Sequence, residues 1–134
     1  MRIAFAADDE NETTKAVLDY LAAQHEVIRP AQGESWPQLG TAVGQAVVDG
    51  TADFGIVMCW TGTGTAIAAN KVAGVRAALA WERWIAEGAR KWNDANVLAM
   101  SLKRLAPDVA VEVTKAFLGI SEPDPDEAAN IAQL

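Results

Sequence analysis

The sequence predicts an α/β domain, a three-layer α/β/α sandwich around a five-stranded, mostly parallel sheet. Three observations carry this. Short apolar runs alternate with stretches of helical periodicity along the chain. One run, Ala52 to Cys59, is apolar apart from Asp53, as in a central strand covered on both faces. Turn-like segments rich in glycine, proline or acidic residues separate the runs, so sequential strands are joined by helical crossovers.

Ile3 to Ala7 reads as a buried strand ending at the acidic cluster Asp8-Asp9-Glu10-Asn11-Glu12. From Thr13, the apolar positions Val17, Leu18, Leu21 and Ala22 recur at helical spacing to about Gln24, with Asn11 or Thr13 available as N-cap. Glu26 to Arg29 is a short strand and Pro30 to Ser35 a turn. Trp36-Pro37 opens a helix through Val43, Ala46 and Val47 to Gly50. The central strand then runs into Trp60-Thr61-Gly62-Thr63-Gly64, followed by a short helix over Thr65 to Lys71. Val75 to Leu79, Glu82 to Trp92, Asn96 to Met100 and Val109 to Leu118 continue as strand, helix, strand and helix. The arrangement is Rossmann-like in kind. Residues 1–120 form the domain, and 121–134, with four carboxylates and no Lys or Arg, form an acidic tail placed to pack on a partner or fray.

The 134 residues carry 11 Lys and Arg against 18 Asp and Glu, for a net charge of −7, with 51% hydrophobic and 22% charged residues. Such a chain buries roughly two-thirds of its unfolded surface and is too apolar for intrinsic disorder. No stretch approaches the ~20 apolar residues of a membrane helix. The first residues turn acidic too soon for a signal peptide, and one cysteine makes no internal disulfide, so a reducing cytoplasm is the expected location. A sequence pI near 4.6 offers no basic field to nucleic acid or anionic lipid. Small molecules and other protein chains remain as partners.

Open parallel sheets place sites at the carboxyl ends of their strands, which selects the loops after Ala7, Cys59, Leu79 and Met100. Cys59 stands where a buried strand meets a glycine-rich turn and a helix N-terminus. Backbone N–H groups there favour a thiolate and an oxyanion, a combination suited to proton abstraction beside a carbonyl. The competing reading is an inert core cysteine. Thr61 to Gly64 lacks both the third glycine of a dinucleotide fingerprint and the Gly-Lys-Ser/Thr of a phosphate loop, so a nucleotide is not expected. Asp8 can accept hydrogen bonds from sugar hydroxyls, whereas Asp9, Glu10 and Glu12 read as a solvated helix start, and the spacing matches no calcium loop. No metal and no cofactor is expected. His25 lies away from the carboxyl ends. Five tryptophans, at 36, 60, 81, 84 and 92, suit either a ligand or a subunit interface.

The run Asp53 to Gly64, continued by Ala66 to Lys71, resembles the ribose-5-phosphate isomerase B family, which includes the galactose-6-phosphate isomerase subunits. So do Gly74 to Ala78 and Asn93 to Ala99, in the same order and spacing, and the likeness extends from Met1 to about Leu118. It implies the same sandwich fold, assembly as a homodimer or tetramer with sites between subunits, and a place in carbohydrate metabolism of the pentose phosphate kind. It also implies cofactor-free aldose–ketose isomerisation through an enediolate. Cys59 would move the proton between C2 and C1, Thr61, Gly62, Thr63 and Gly64 would stabilise the enediolate oxygen, and Asp8 and Asn93 would hold the sugar.

Several family features are replaced. The histidines implicated in ring opening stand as Asp9 and Trp92, a glycine after the cysteine stands as Trp60, and a Tyr-Pro pair stands as Trp36-Pro37. The arginine-rich segment that reaches the substrate phosphate is replaced by Asp124 to Ala129, whose carboxylates repel phosphate. Lys103 or Arg104 supplies one remaining cation. The residues assigned to substrate are therefore Asp8, Asp9, Trp60, Gly62, Thr63, Gly64, Asn93 and Lys103, with Cys59 and Thr61 catalytic. The expected activity is isomerisation of a small sugar or related hydroxy-carbonyl compound, unphosphorylated or already open-chain. The alternative is a catalytically silent sugar-binding paralogue, or a partner subunit completing a hetero-oligomeric isomerase.

Overall fold

In a computed structural model that describes residues 1–134, five strands lie parallel in the order β2-β1-β3-β5-β4. They are β1 (Arg2–Ala7), β2 (Glu26–Ile28), β3 (Phe54–Cys59), β4 (Ala77–Leu79) and β5 (Val97–Ser101). The helices are α1 (Glu12–Gln24), α2 (Trp36–Val48), α3 (Thr63–Asn70), α4 (Arg83–Asn93), α5 (Pro107–Leu118) and α6 (Ala128–Ile131). The predicted sandwich is observed, with a sheet that is wholly rather than mostly parallel. No helix is long and apolar enough to cross a membrane.

The strands alternate large and small side chains, and this sorts the two faces of the sheet. Ile3, Phe5, Ile56, Met58, Leu98 and Met100 point to one side, where Val17 and Leu21 of α1, Ala86 of α4 and Phe117 of α5 complete a core of large side chains. Ala4, Ala6, Val57 and Ala99 point to the other, beneath Leu39 and Val43 of α2 and Ala66 and Ala69 of α3. Burying each large side chain contributes about 1.5–3 kcal/mol. Small residues let α2 and α3 approach closely: a Cβ on Gly55 would stand 2.5 Å from Val43, and one on Gly40 would stand 2.8 Å from both Ala68 Cβ and the Thr65 carbonyl.

Local chemistry sets the element ends. Asn11 accepts from the Thr14 N–H at 3.0 Å, while the Thr14 hydroxyl accepts from the Asn11 N–H at 2.8 Å, closing a capping box on α1. Pro107 starts α5 two residues before the expected Val109, since a first-turn proline forfeits no helical hydrogen bond. β3 begins at Phe54 rather than Ala52 because the Asp53 carboxylate takes the Arg2 N–H at 2.7 Å and the Arg2 guanidinium at 3.0 Å. β4 begins at Ala77 rather than Val75, with the Arg76 N–H donated to the Asn96 side chain at 2.7 Å. Residues 121–134 carry a 3-10 turn at Pro125–Glu127 and then α6, and they fold back on α4. The Asp124 N–H donates to the Lys91 carbonyl at 2.7 Å. The buried Arg90 guanidinium donates to the carbonyls of Ala95, Ile120 and Ser121 and to Asp94 Oδ1 at 2.9 Å.

Candidate active site

β5 inserts between β3 and β4, and this places the loop after β5 against the loop after Cys59. Cys59 pairs with Ser101 in register, the Leu102 N–H donates to the Cys59 carbonyl at 3.0 Å, and the Ser101 hydroxyl donates to the Trp60 carbonyl. Asn11 donates through Nδ2 to the Leu102 carbonyl at 2.6 Å, tying in the loop after β1. The carboxyl ends of β1, β3 and β5 thereby frame one edge.

Cys59 ends β3 and is 5% exposed. Its Sγ accepts from the Gly62 N–H at 3.2 Å and from the Thr65 hydroxyl at 3.3 Å. The same hydroxyl lies 3.3 Å from the Gly62 carbonyl, so its single proton is shared between two acceptors. The sequence predicts Thr65 only as the start of a helix; its spacing from Cys59 carries no signal, because the contact depends on the turn between them. Gly62 holds φ at +80°, and a Cβ there would stand 2.7 Å from the Met100 carbonyl carbon and from Leu79 Cδ1. Both the left-handed backbone and the close approach of β5 require glycine.

α3 begins at Thr63, two residues earlier than its periodicity predicts, so its N-terminus points at the site. The Thr61 and Thr63 hydroxyls are 2.7 Å apart, and the Thr63 N–H donates to Thr61 Oγ1 at 3.3 Å. The amides of Gly64 and Thr65 have no carbonyl partner in the chain; Gly64 lines the cleft and offers the open donor of the helix start, whereas Thr65 is fully buried. A cleft of about 530 Å³ opens here, lined by Asp8, Trp36, Cys59, Trp60, Thr61, Thr63, Gly64 and Ile67. The Trp36 ring lies over Gly64, where an added Cβ would meet it at 2.9 Å.

Asp8 donates its N–H to the Met58 carbonyl at 3.1 Å and brings its side chain to the cleft. Burial, and then the neighbouring Asp9 charge, raise its carboxyl above the ordinary value, so it holds a proton more readily than a free aspartate. Asp9 is committed otherwise: its Oδ2 accepts from the Trp60 indole N–H at 3.1 Å and its Oδ1 from the Glu10 N–H at 2.9 Å. Lys103 places its ammonium 4.3 Å from the centre of the Trp60 ring. It lines a neighbouring cavity of about 630 Å³ with Arg104, Trp81 and Leu105.

Asn93 is the one expected site residue that the chain does not bring here. It ends α4 at the amino edge of the sheet and lines another cavity, with Asn70, Gly74 and Arg76. The length of β5 alone separates the two edges by about 13 Å. His25 also lies at the amino edge, between α1 and β2; burial lowers its pKa, and its Nδ1 has no hydrogen-bond partner.

Comparison with known proteins identifies the family and the fold. A family model described as Ribose/Galactose Isomerase matches residues 3–134. Ribose-5-phosphate isomerase B of Escherichia coli is 40% identical over 84 residues, which are 63% of this chain and 56% of that protein. D-erythrulose-4-phosphate isomerase of Pectobacterium atrosepticum is 39% identical over 83 residues, 62% of this chain and 55% of that protein. These matches therefore span little more than half of the relatives' length. The solved structure of Clostridium thermocellum ribose-5-phosphate isomerase B superposes with a TM-score of 0.89 at 32% identity, covering 99% of this chain and 94% of that one.

Proposed function

The chain belongs to the ribose/galactose isomerase family, and from that premise we propose that it interconverts an open-chain aldose and ketose with Cys59 as the proton carrier. The observation that carries the proposal is the convergence of the Gly62 N–H and the Thr65 hydroxyl on a sulfur lining an open cleft. Two donors solvate a sulfur that takes up a proton and returns it.

In the forward direction the thiolate removes the proton from C2 of the substrate. The C–H electron pair forms the C1–C2 double bond, and the carbonyl pair moves onto O1. The negative oxygen lies against the open amide of Gly64, with the Thr61 and Thr63 hydroxyls beside it, donors already oriented before the reaction begins. A proton passes from O2 to O1, and the thiol returns its own proton to C1 to give the ketose. The Asp8 carboxylate, whose side chain reaches the cleft, can accept a hydrogen bond from a substrate hydroxyl.

Trp92 and Asp9 supply no imidazole for ring opening, and Asp124 to Glu127 hold carboxylates where the family's arginines are expected. The substrate we assign is accordingly small, open-chain and unphosphorylated, although the two relatives above are named for phosphorylated sugars. Asn93, on the opposite edge, joins the Cys59 cleft only if a second copy presents it, so we assign the working form to a homodimer or a larger assembly. The replaced residues also favour a second reading, a silent paralogue that completes the site of a homologous chain.

The test is deuterium exchange at the carbon beside the carbonyl, for wild type and Cys59→Ala, on free and phosphorylated sugars. A general base contributes on the order of 10²–10⁴-fold, and a loss of that size in the mutant supports the role. Equal exchange by both proteins removes it. Co-purification of a homologous chain carrying the absent histidines and arginines, with no exchange by this protein alone, favours the second reading.

A further inference from the structure

Two of the replacements that set this chain apart touch one another. The Asp9 carboxylate holds the indole N–H of Trp60, and the ammonium of Lys103 lies over the same ring. Trp60 is 56% exposed, so neither burial nor core packing accounts for a large aromatic at this position. Its place in the fold does. Trp60 and Thr61 are the two residues common to the 530 Å³ cleft that holds Cys59 and the 630 Å³ cavity that holds Lys103 and Arg104.

We propose that Trp60 is a specificity wall, held from the β1 side by Asp9 and from the β5 side by Lys103, that separates the proton-transfer chamber from the adjoining cations Lys103 and Arg104 and so excludes phosphorylated sugars. The inference rests on the reading of the Cys59 cleft as a sugar site, and it names the feature that selects among sugars. A sugar phosphate with its reacting carbons at Cys59 needs a cation at its far end. Lys103 and Arg104 line the adjoining chamber, but the indole stands in the path between them and the thiol. A short neutral hydroxy-carbonyl compound needs neither. Without its side chain at residue 60, the edge becomes one continuous cleft with a thiol at one end and two cations at the other.

The experiment measures calorimetric binding of two inert probes, erythritol and ribitol 5-phosphate, to wild type and Trp60→Gly. Neither polyol has a carbonyl, so the result does not depend on whether Cys59 transfers protons, and exchange data do not decide it. Trp60→Gly is expected to bind ribitol 5-phosphate at least about ten-fold more tightly than wild type, through charge-assisted contacts to Arg104 and Lys103, with erythritol changed by less than about two-fold. Adding Arg104→Ala and Lys103→Ala should abolish the gain. Asp9→Ala, which frees the indole while leaving residue 60 itself unchanged, should give a smaller gain in the same direction. Equal affinity of wild type and Trp60→Gly for ribitol 5-phosphate overturns the proposal, as does failure of both proteins to bind it. So does a gain that survives removal of the two cations.

Discussion

Gly62→Ala tests the close approach on which the loop after Cys59 depends, and Gly33→Ala is its control. Both glycines have φ near +80°, but a Cβ on Gly33 meets nothing within 4 Å, whereas one on Gly62 lies 2.7 Å from the Met100 carbonyl carbon and 3.0 Å from its oxygen. The left-handed backbone costs an L-residue about 1–2 kcal/mol at either site. Lower entropy of the unfolded chain returns about 0.4–1 kcal/mol in both. Gly33→Ala should therefore lose about 1 kcal/mol. At Gly62 the β5 backbone cannot yield as a side chain would, and overpacking adds about 1–3 kcal/mol, for a total of about 2–4 kcal/mol. With an unfolding entropy of about 2.1 cal/mol/K per residue, each kcal/mol lowers the Tm of this chain by about 3–4 °C. The expected losses are then about 3–4 °C for Gly33→Ala and about 7–15 °C for Gly62→Ala. Urea and thermal unfolding by circular dichroism give both values. Gly62→Ala proving no more destabilising than Gly33→Ala would refute the claim that β5 presses on this turn. If the turn shifts, the Gly62 N–H also leaves the Cys59 sulfur, so deuterium exchange should fall further than stability alone explains.

Three other outcomes are expected. Arg90→Ala should destabilise by about 3–5 kcal/mol, because a buried cation, its partner Asp94 and three carbonyl acceptors lose one another; amide hydrogen exchange should then show residues 121–134 released first. The Asp53 carboxyl is held below its ordinary value by the Arg2 backbone N–H and then by the guanidinium. A depressed folded value means stabilisation that is present above the ordinary carboxylate range and lost as pH falls through the depressed value. The gap in urea midpoint between wild type and Asp53→Asn should thus close on acidification from about pH 5 to about pH 2, and a gap that widens would reverse the sign. Finally, if Asn93 serves the cleft of a second copy, co-refolding equal amounts of Cys59→Ala and Asn93→Ala should restore about a quarter of wild-type exchange, since half the dimers are mixed and each holds one intact site. Full exchange by Asn93→Ala alone, and hence about half of wild-type exchange in the mixture, would place Asn93 outside the site, and two inactive mutants that fail to complement would place it in its own chain's site.

Much of this protein is legible along the chain because the signals are local. The alternation of apolar strands and amphipathic helices predicts the sandwich, and the same runs locate the strand ends at Ala7, Cys59 and Ser101 to within a residue or so. A cysteine followed by two glycines between a buried strand and a helix marks the candidate site, because the turn and the helix start are properties of neighbouring residues. The alternation of large residues at Ile3, Phe5, Ile56 and Met58 with smaller ones at Ala4, Ala6 and Val57 sorts the side chains between the two faces of the sheet.

Other features depend on strand order, which backbone ladders do not encode in residue type. Insertion of β5 between β3 and β4 is a long-range choice made by packing, and it alone lays Lys103 over Trp60 and Ser101 beside Cys59. The same folding sends Asn93 to the amino edge, because α4 must run back antiparallel to the strand it follows. Asp9 and Trp60 read separately as one lost histidine and one lost glycine; as neighbours they form a pinned indole. The sequence by itself determined the layers and the thiol beside its helix start. Which charged and aromatic groups surround that thiol was decided only by the tertiary structure, since contacts between loops forty to ninety residues apart arise from sheet register and not from any local pattern.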